Sequence, residues 1–245
     1  MPLRLTKFYC DNIKPGRITL AGAEAHHLID VMRLGPGASV ELFDGKGTTA
    51  QAVIAEAAGK AATLTVEKIQ KHTAKTGGQV IIAASVAKGR RFDWLISKCT
   101  ELGVDHIAPV IFERTVKQAQ NPSVVQRYNN LAIAAAKQCR RIFLPRITAP
   151  AKLEETLAML KNDYPDAQLL LGGFGRKSTL VTMLANYTKN TVAIIGPEGG
   201  LANDEIATIE ESGAIQVRLN DNVLRIETAA VAFAAILCAL RNSAK

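Results

Sequence analysis

The sequence predicts an α/β protein in two parts, a small β-rich segment followed by a longer run of alternating strands and helices. Three observations lead there. Up to residue 72 apolar residues alternate or are β-branched, with glycine turns between them. From Gln79 onward short apolar runs alternate with stretches of helical periodicity. Between the two lies "KHTAKTGG", Lys71 to Gly78, a polar stretch with the composition of a linker. With 245 residues, 48% of them hydrophobic, the chain can fill two modest domains, expected at 1–72 and 73–245.

In the first part "LRLTKFYC", "SVELFDG", "TTAQAVIAE" and "ATLTVEKI" read as strands, and "GPG" and "DGKG" as turns, which suggests a small β-barrel. One helix, "AEAHHLIDVMRL", interrupts it, with Ala25, Leu28, Ile29 and Met32 at helical spacing. In the second part "QVIIAASVA", "HIAPVIF", "AQLLLGG", "TVAIIG" and "AIQVRLN" read as strands. "RFDWLISKCTELG", "VVQRYNNLAIAAAKQC", "STLVTMLAN", "NDEIATIEESG" and "ETAAVAFAAILCAL" read as helices, the first closed by Gly103. Such alternation implies a mostly parallel sheet with helices on both faces. The last helix is apolar nearly all round and must be buried.

Composition excludes several classes. No apolar run reaches the ~18 residues of a membrane span, and "MPLRLTKFYCDN" lacks the apolar stretch of a secretory signal, so a cytoplasmic address is expected. Cys10, Cys99, Cys139 and Cys238 are scattered and read as reduced thiols. His26, His27, His72 and His106 have no ligand spacing, so no metal is expected. The net charge of +8 is unevenly spread: residues 1–72 carry +2, 73–150 carry +8 and 151–245 carry −2. A basic zone of this kind suits phosphate backbones, although a solvated face that only aids solubility has the same charge.

The most informative stretch is "VAIIGPEGGLANDE", Val192 to Glu205, where a buried-type strand runs into a bare turn and then an acidic helix start. In parallel sheets ligands bind beyond the carboxyl ends of strands. Glycines there let backbone N–H groups approach a ligand, and Pro197 stiffens the turn. "GGFGRKST" fails as a phosphate loop, because Arg176 interrupts the required succession, and it lacks a dinucleotide fingerprint. Three strands, "LLLGG", "AIIGPEGG" and "VRLNDNVLRIETA", end in such loops, which could together form one site.

The combination of "KCTELGV", "AAKQCRR", "IGPEGG" and "LNDNVLRIETA", in that order, resembles the ribosomal RNA uracil-N3 methyltransferase family of the SPOUT superfamily. The resemblance covers nearly the whole chain. It implies a PUA-like β-barrel for RNA binding, then a SPOUT methyltransferase domain with a trefoil knot, S-adenosylmethionine as cofactor, ribosomal RNA or the small ribosomal subunit as partner, and a homodimer. By that resemblance Gly196, Pro197, Gly199 and Gly200 form the cofactor loop, with Leu171, Gly172, Ile195, Leu219, Leu224 and Thr228 as further cofactor-binding positions. Arg90, Arg91, Arg140 and Arg141 are the expected RNA contacts. The chain departs from the pattern at Asn220, Asn222 and Ile226, where glycine, arginine and threonine are usual.

Uracil N3 is a protonated imide nitrogen, so a methyltransferase must favour its anion. Arg225 is the expected stabiliser of that charge and Glu198 the second catalytic residue. An ion pair of Arg225 with Glu227 or Glu198 is the competing reading. Ribose 2'-O-methylation, or RNA binding without catalysis, are the alternative functions.

Overall fold

The computed structural model describes residues 5–73, 77–115, 123–173 and 189–243, and it divides into two compact units. One joins the residues up to Lys75 with Ala136–Leu144; the other holds Thr76–Ala135 and the residues from Pro145 onward.

The first unit contains β1 (Lys7–Tyr9), β2 (Gly16–Ala21), α1 (Gly22–His26), β3 (Ser39–Phe43), β4 (Thr48–Ala58) and β5 (Ala61–Lys71). Its sheet has the order β1-β3-β4-β5-β2, with β1 parallel to β3 and the other pairs antiparallel. Alternation places Val40, Leu42, Ala52, Ile54, Leu64 and Val66 in one core, as the strand pattern requires. Two register shifts in the β4–β5 ladder bend the hairpin, but among the described residues the pairing path ends at β1 and β2 without closing. β5 runs through Lys71, and the His72 ring bonds the Thr49 hydroxyl at 2.8 Å, so the strand consumes the start of the expected linker.

The expected twelve-residue helix is shorter. α1 ends at His26, and His27–Val31 form a π-turn closed by Met32 N–H to the His27 carbonyl. Arg33 then takes φ of +53°, which reverses the chain in a way no helix can.

Residues 136–144 complete this unit through charge. Lys137 Nζ reaches both carboxylate oxygens of Glu24 at 2.8 and 3.0 Å. Lys7, 4% exposed, donates to the carbonyls of Arg140 and Arg141 and lies 3.4 Å from Glu41. Burial pushes the Lys7 pKa down, against the opposing pull of Glu41. Arg140, at φ +61°, pairs with Glu41 and donates to the Leu5 carbonyl. The "DGKG" glycines do more than turn: a Cβ at Gly45 would lie 2.5 Å from Leu144, and one at Gly47 2.6 Å from Phe143.

The second unit contains β6 (Val80–Ser85), α2 (Arg91–Leu102), β7 (His106–Ile111), α3 (Val124–Cys139, whose last turn belongs to the first unit), β8 (Arg146–Ile147), β9 (Ala151–Lys152), α4 (Leu153–Asp163), β10 (Gln168–Gly172), β11 (Thr191–Ile195), α5 (Asn203–Glu211), β12 (Ile215–Val217) and α6 (Ile226–Ser243). Its strands follow the order β12-β10-β11-β6-β7-β8, with β9 also on β7, and every pair is parallel. β6 and β11 are buried along their whole length, which explains their unbroken apolar runs. Ile81, Ala83, Val192 and Ile194 pack with Leu153, Leu157 and Ile209 of α4 and α5. The alternate residues face the opposite layer, where α6 lies on β6 and β11 and along α2. Gly103 ends α2 in the left-handed conformation, at φ +101°. Arg241 of α6 pairs with Asp105 and donates to the Gly103 carbonyl at 2.9 Å, tying the two helix ends together.

α4 is an element that the sequence reading omitted, although Leu153, Leu157 and Leu160 mark its buried face at helical spacing. The expected helix "STLVTMLAN" and most of "GGFGRKST" lie outside the described residues. His106 opens β7 fully buried, its Nδ1 3.1 Å from the Tyr164 hydroxyl and its Nε2 without a partner among the described residues. Burial, reinforced by Arg146, lowers its pKa from 6.5 to about 4.

Candidate active site

The carboxyl ends of β10, β11 and β12 stand side by side, and the loops leaving them meet the start of α6 around one cavity of about 510 Å³. Parallel pairing makes this unavoidable, since neighbouring strands with one direction release their loops at one edge. From β10 come Leu171 and Gly172; from β11, Ile195, Gly196, Pro197, Glu198 and Gly200; from the last loop, Leu219, Leu224 and Arg225. Two expected cofactor positions lie off this wall. Thr228 is exposed beside Ala229, because the helical face towards the cavity carries Ile226, Ala229 and Phe233. Gly199 carries its carbonyl outward to Arg114 Nη1, at 3.0 Å.

The glycine turn is built from within. Gly200 N–H donates to the Pro197 carbonyl at 2.9 Å, and Gly200 sits at φ +75°, a conformation that favours glycine. A Cβ at Gly196 would come 2.9 Å from Leu201, and one at Gly172 3.0 Å from Phe233. The bare backbone therefore serves packing as well as ligand approach. Behind the turn, Glu205 of α5 accepts Ala202 N–H with one oxygen and Glu113 N–H with the other, at 2.9 and 2.8 Å. The acidic helix start is a brace that ties the turn to the chain leaving β7.

In the last loop Asn220 Oδ1 accepts Asn222 N–H at 3.0 Å, so the side chain that stands where glycine is usual makes a local turn of its own. Asn220 does not need a positive φ, and the replacement costs no strain. Ile226, 2% exposed, begins α6 as part of the cavity wall. Arg225 accepts Ala229 N–H with its carbonyl, while its exposed guanidinium forms no ion pair among the described residues. The competing pairings do not form. Glu198 is instead held by Arg91, Nη1 to Oε1 at 2.8 Å, and Glu227 is 8% exposed with its Oε2 unpartnered among the described residues.

Of the four arginines expected to meet RNA, Arg90 and Arg91 stand at the start of α2, and Arg91 adjoins the cavity through Glu198. Arg140 and Arg141 belong to the first unit, where Arg140 is engaged by Glu41. The sequence reading missed Arg218, which lines the cavity and pairs with Asp221 at 2.7 Å, and Phe233, seven residues beyond Ile226 on the same helical face. That spacing was the available signal for Phe233; Arg218 had none.

A parallel α/β sheet with a glycine-walled cavity at its strand ends, preceded by a small β domain, is a fold suited to binding a small-molecule cofactor, and two family models give its class. The RNA methyltransferase domain family matches residues 73–238, and the RNA methyltransferase PUA domain family matches residues 20–73. A ribosomal RNA small subunit methyltransferase E from Synechocystis is 30% identical over 243 residues, which are 95% of this chain and 76% of that protein. One from Buchnera aphidicola of Acyrthosiphon pisum is 29% identical, over 86% of this chain and 83% of its own. The chain belongs to the ribosomal RNA small subunit methyltransferase E family. Among solved structures, that enzyme from Neisseria gonorrhoeae, bound to S-adenosyl methionine, superposes with a TM-score of 0.85 at 27% identity, over 97% of this chain and 98% of that one. A putative methyltransferase from Legionella pneumophila, also with the bound cofactor, gives 0.86 at 27% identity and the same coverage.

Proposed function

We propose that this protein methylates N3 of a uridine in small-subunit ribosomal RNA, with S-adenosylmethionine as the methyl donor. The observation that carries the reading is the convergence of the glycine turn, the last loop and the start of α6 on one cavity, with Arg225, which forms no ion pair among the described residues, in its wall. The cavity suits the cofactor. Its volume falls within the ~300–1,000 Å³ of small-molecule sites, and its wall combines the apolar Leu171, Leu219 and Leu224 with backbone left bare at Gly196 and Gly200. The relatives crystallised with this cofactor support the same assignment. When bound, the cofactor supplies an electrophilic methyl group.

The chain supplies the rest. Arg225 directs planar donors at a uracil carbonyl and stabilises the negative charge that develops as N3 loses its proton. Glu198, the only carboxylate in the wall among the described residues, accepts that proton while Arg91 holds it in place. Lys88, Arg90 and Arg91 meet RNA phosphates at the start of α2, and the PUA-like unit, with Arg141, adds to the hold. The domains at 1–72 and 73–245 divide RNA binding from catalysis, with residues 136–144 returning to the first. The C-terminal segment is threaded as a trefoil knot, the arrangement the family resemblance implies. A homodimer forms through α6, whose Val231, Ile236 and Leu240 are only half covered. The protein works in the cytoplasm, as its four free cysteines suggest; no helix among the described residues is long and apolar enough to cross a membrane.

The test is to incubate the protein with methyl-labelled S-adenosylmethionine and small ribosomal subunits lacking the modification, then digest the RNA to nucleosides. Label in N3-methyluridine is expected. Label on a ribose hydroxyl, or no transfer, would overturn the assignment.

A further inference from the structure

Trp94 is the only tryptophan in the chain, and it lies 46% exposed on α2. A half-exposed indole stands out beside its neighbours Phe92 and Tyr128, which are fully buried, and it is the most exposed of the Phe, Tyr and Trp rings among the described residues. Its surroundings are more unusual still. The helical neighbours of Trp94, three and four residues to either side, are Arg90, Arg91, Ser97 and Lys98: no apolar residue among them, and three cations. Arg127 of α3 stands close by, paired with Asp93 at 3.0 Å. Arg91 and Lys98 are compensated by Glu198 and Glu101, whereas Lys88 and Arg90 are exposed and form no ion pair among the described residues. The exposed part of the indole is a flat apolar surface flanked along the helix by cations, and Arg91 connects that row to the cavity through Glu198.

We infer that Trp94 is a stacking platform for an unpaired base of the RNA substrate, next to the nucleotide being methylated, with Lys88 and Arg90 holding the flanking phosphates. The inference rests on the RNA methyltransferase reading and assigns to it a contact that the cavity alone does not supply. Stacking on an aromatic face beside cations is how single-stranded nucleic acid is held without reading its sequence. A second protein chain fits poorly, because the centres of protein interfaces are depleted in the charged residues that surround this indole.

A single tryptophan makes the test direct. The intact protein is titrated with a uridine-containing single-stranded oligoribonucleotide of about ten nucleotides, following indole fluorescence and, in parallel, the anisotropy of end-labelled RNA. Quenching should track RNA binding, while inorganic polyphosphate should displace the RNA and leave the indole bright. Trp94→Leu should weaken RNA binding roughly 5- to 150-fold, the range for loss of one stacked base, and Trp94→Phe should restore most of it. S-adenosylmethionine affinity should stay unchanged in both. RNA binding without quenching would overturn the inference and leave the methyltransferase reading standing. So would fluorescence that follows protein concentration but not RNA, which would place a second copy over the indole, or a Trp94→Leu protein that loses cofactor and RNA affinity together. A wild-type protein that neither binds RNA nor transfers methyl groups would overturn both.

Discussion

Gly199 and Gly200 are adjacent in the sequence, yet alanine at each should have opposite consequences. Gly199 has no positive φ, and a Cβ there would make an ordinary contact, 3.4 Å from Arg114 Cβ. Gly200 has open space around it, its nearest neighbour being Arg114 Nη1 at 3.9 Å, but its φ is +75°. A side chain there costs about 1–2 kcal/mol if the turn keeps its shape. If the turn relaxes instead, the Gly200 N–H to Pro197 bond is lost, worth about 1 kcal/mol net. A relaxed turn must be restored when the cofactor binds, so the strain appears in affinity. Gly200→Ala should raise the dissociation constant for S-adenosylmethionine by roughly 5- to 30-fold, from ~1–2 kcal/mol, while Gly199→Ala should stay within about twofold. Isothermal titration calorimetry measures both, and a thermal melt checks that each protein folds. Equal losses at the two positions would refute the argument, because steric crowding and not backbone conformation would then govern the turn.

Arg225→Lys should lower turnover by ~10²–10³, the cost of losing one charge-stabilising donor, with little change in cofactor affinity; a defect confined to affinity would make Arg225 a structural part of the loop. His106 is held neutral with a pKa of about 4 against 6.5 in the unfolded chain, so unfolding takes up a proton as the pH falls. Stability should therefore be lost between pH 6.5 and 4, by about 3 kcal/mol at ~1.4 kcal/mol per pKa unit, and denaturation of His106→Gln across that range should show a flatter profile. Glu41→Gln removes the partner of both Lys7 and Arg140, leaving the Lys7 ammonium buried. Breaking a fully buried pair costs 3–5 kcal/mol, and with Glu41 22% exposed the expected loss is about 2 kcal/mol, read by chemical denaturation.

The sequence by itself determined the elements whose signals are local. Unbroken apolar runs marked β6, β10 and β11, helical spacing followed by glycine marked α2, and "GPEGG" marked the turn at a strand end. Those patterns arise from burial and backbone geometry within a few residues, and so they can be read from one chain. Helical spacing was present for α4 as well, and went unread. Other features depend on residues far apart in sequence. Nothing near Lys137 or Arg140 announces that they reach Glu24 and Glu41, more than ninety residues earlier, or that Gly45 and Gly47 are small to admit Leu144 and Phe143. The basic middle third reads as one cationic zone, but tertiary structure divides it: Arg140 turns inward to a carboxylate, Arg91 turns to Glu198, and Arg90 is left to solvent. Which glycine of a pair bears the backbone strain, and which arginine at the cavity has no ion-pair partner among the described residues, were settled only when long-range packing fixed each φ angle and placed each charge.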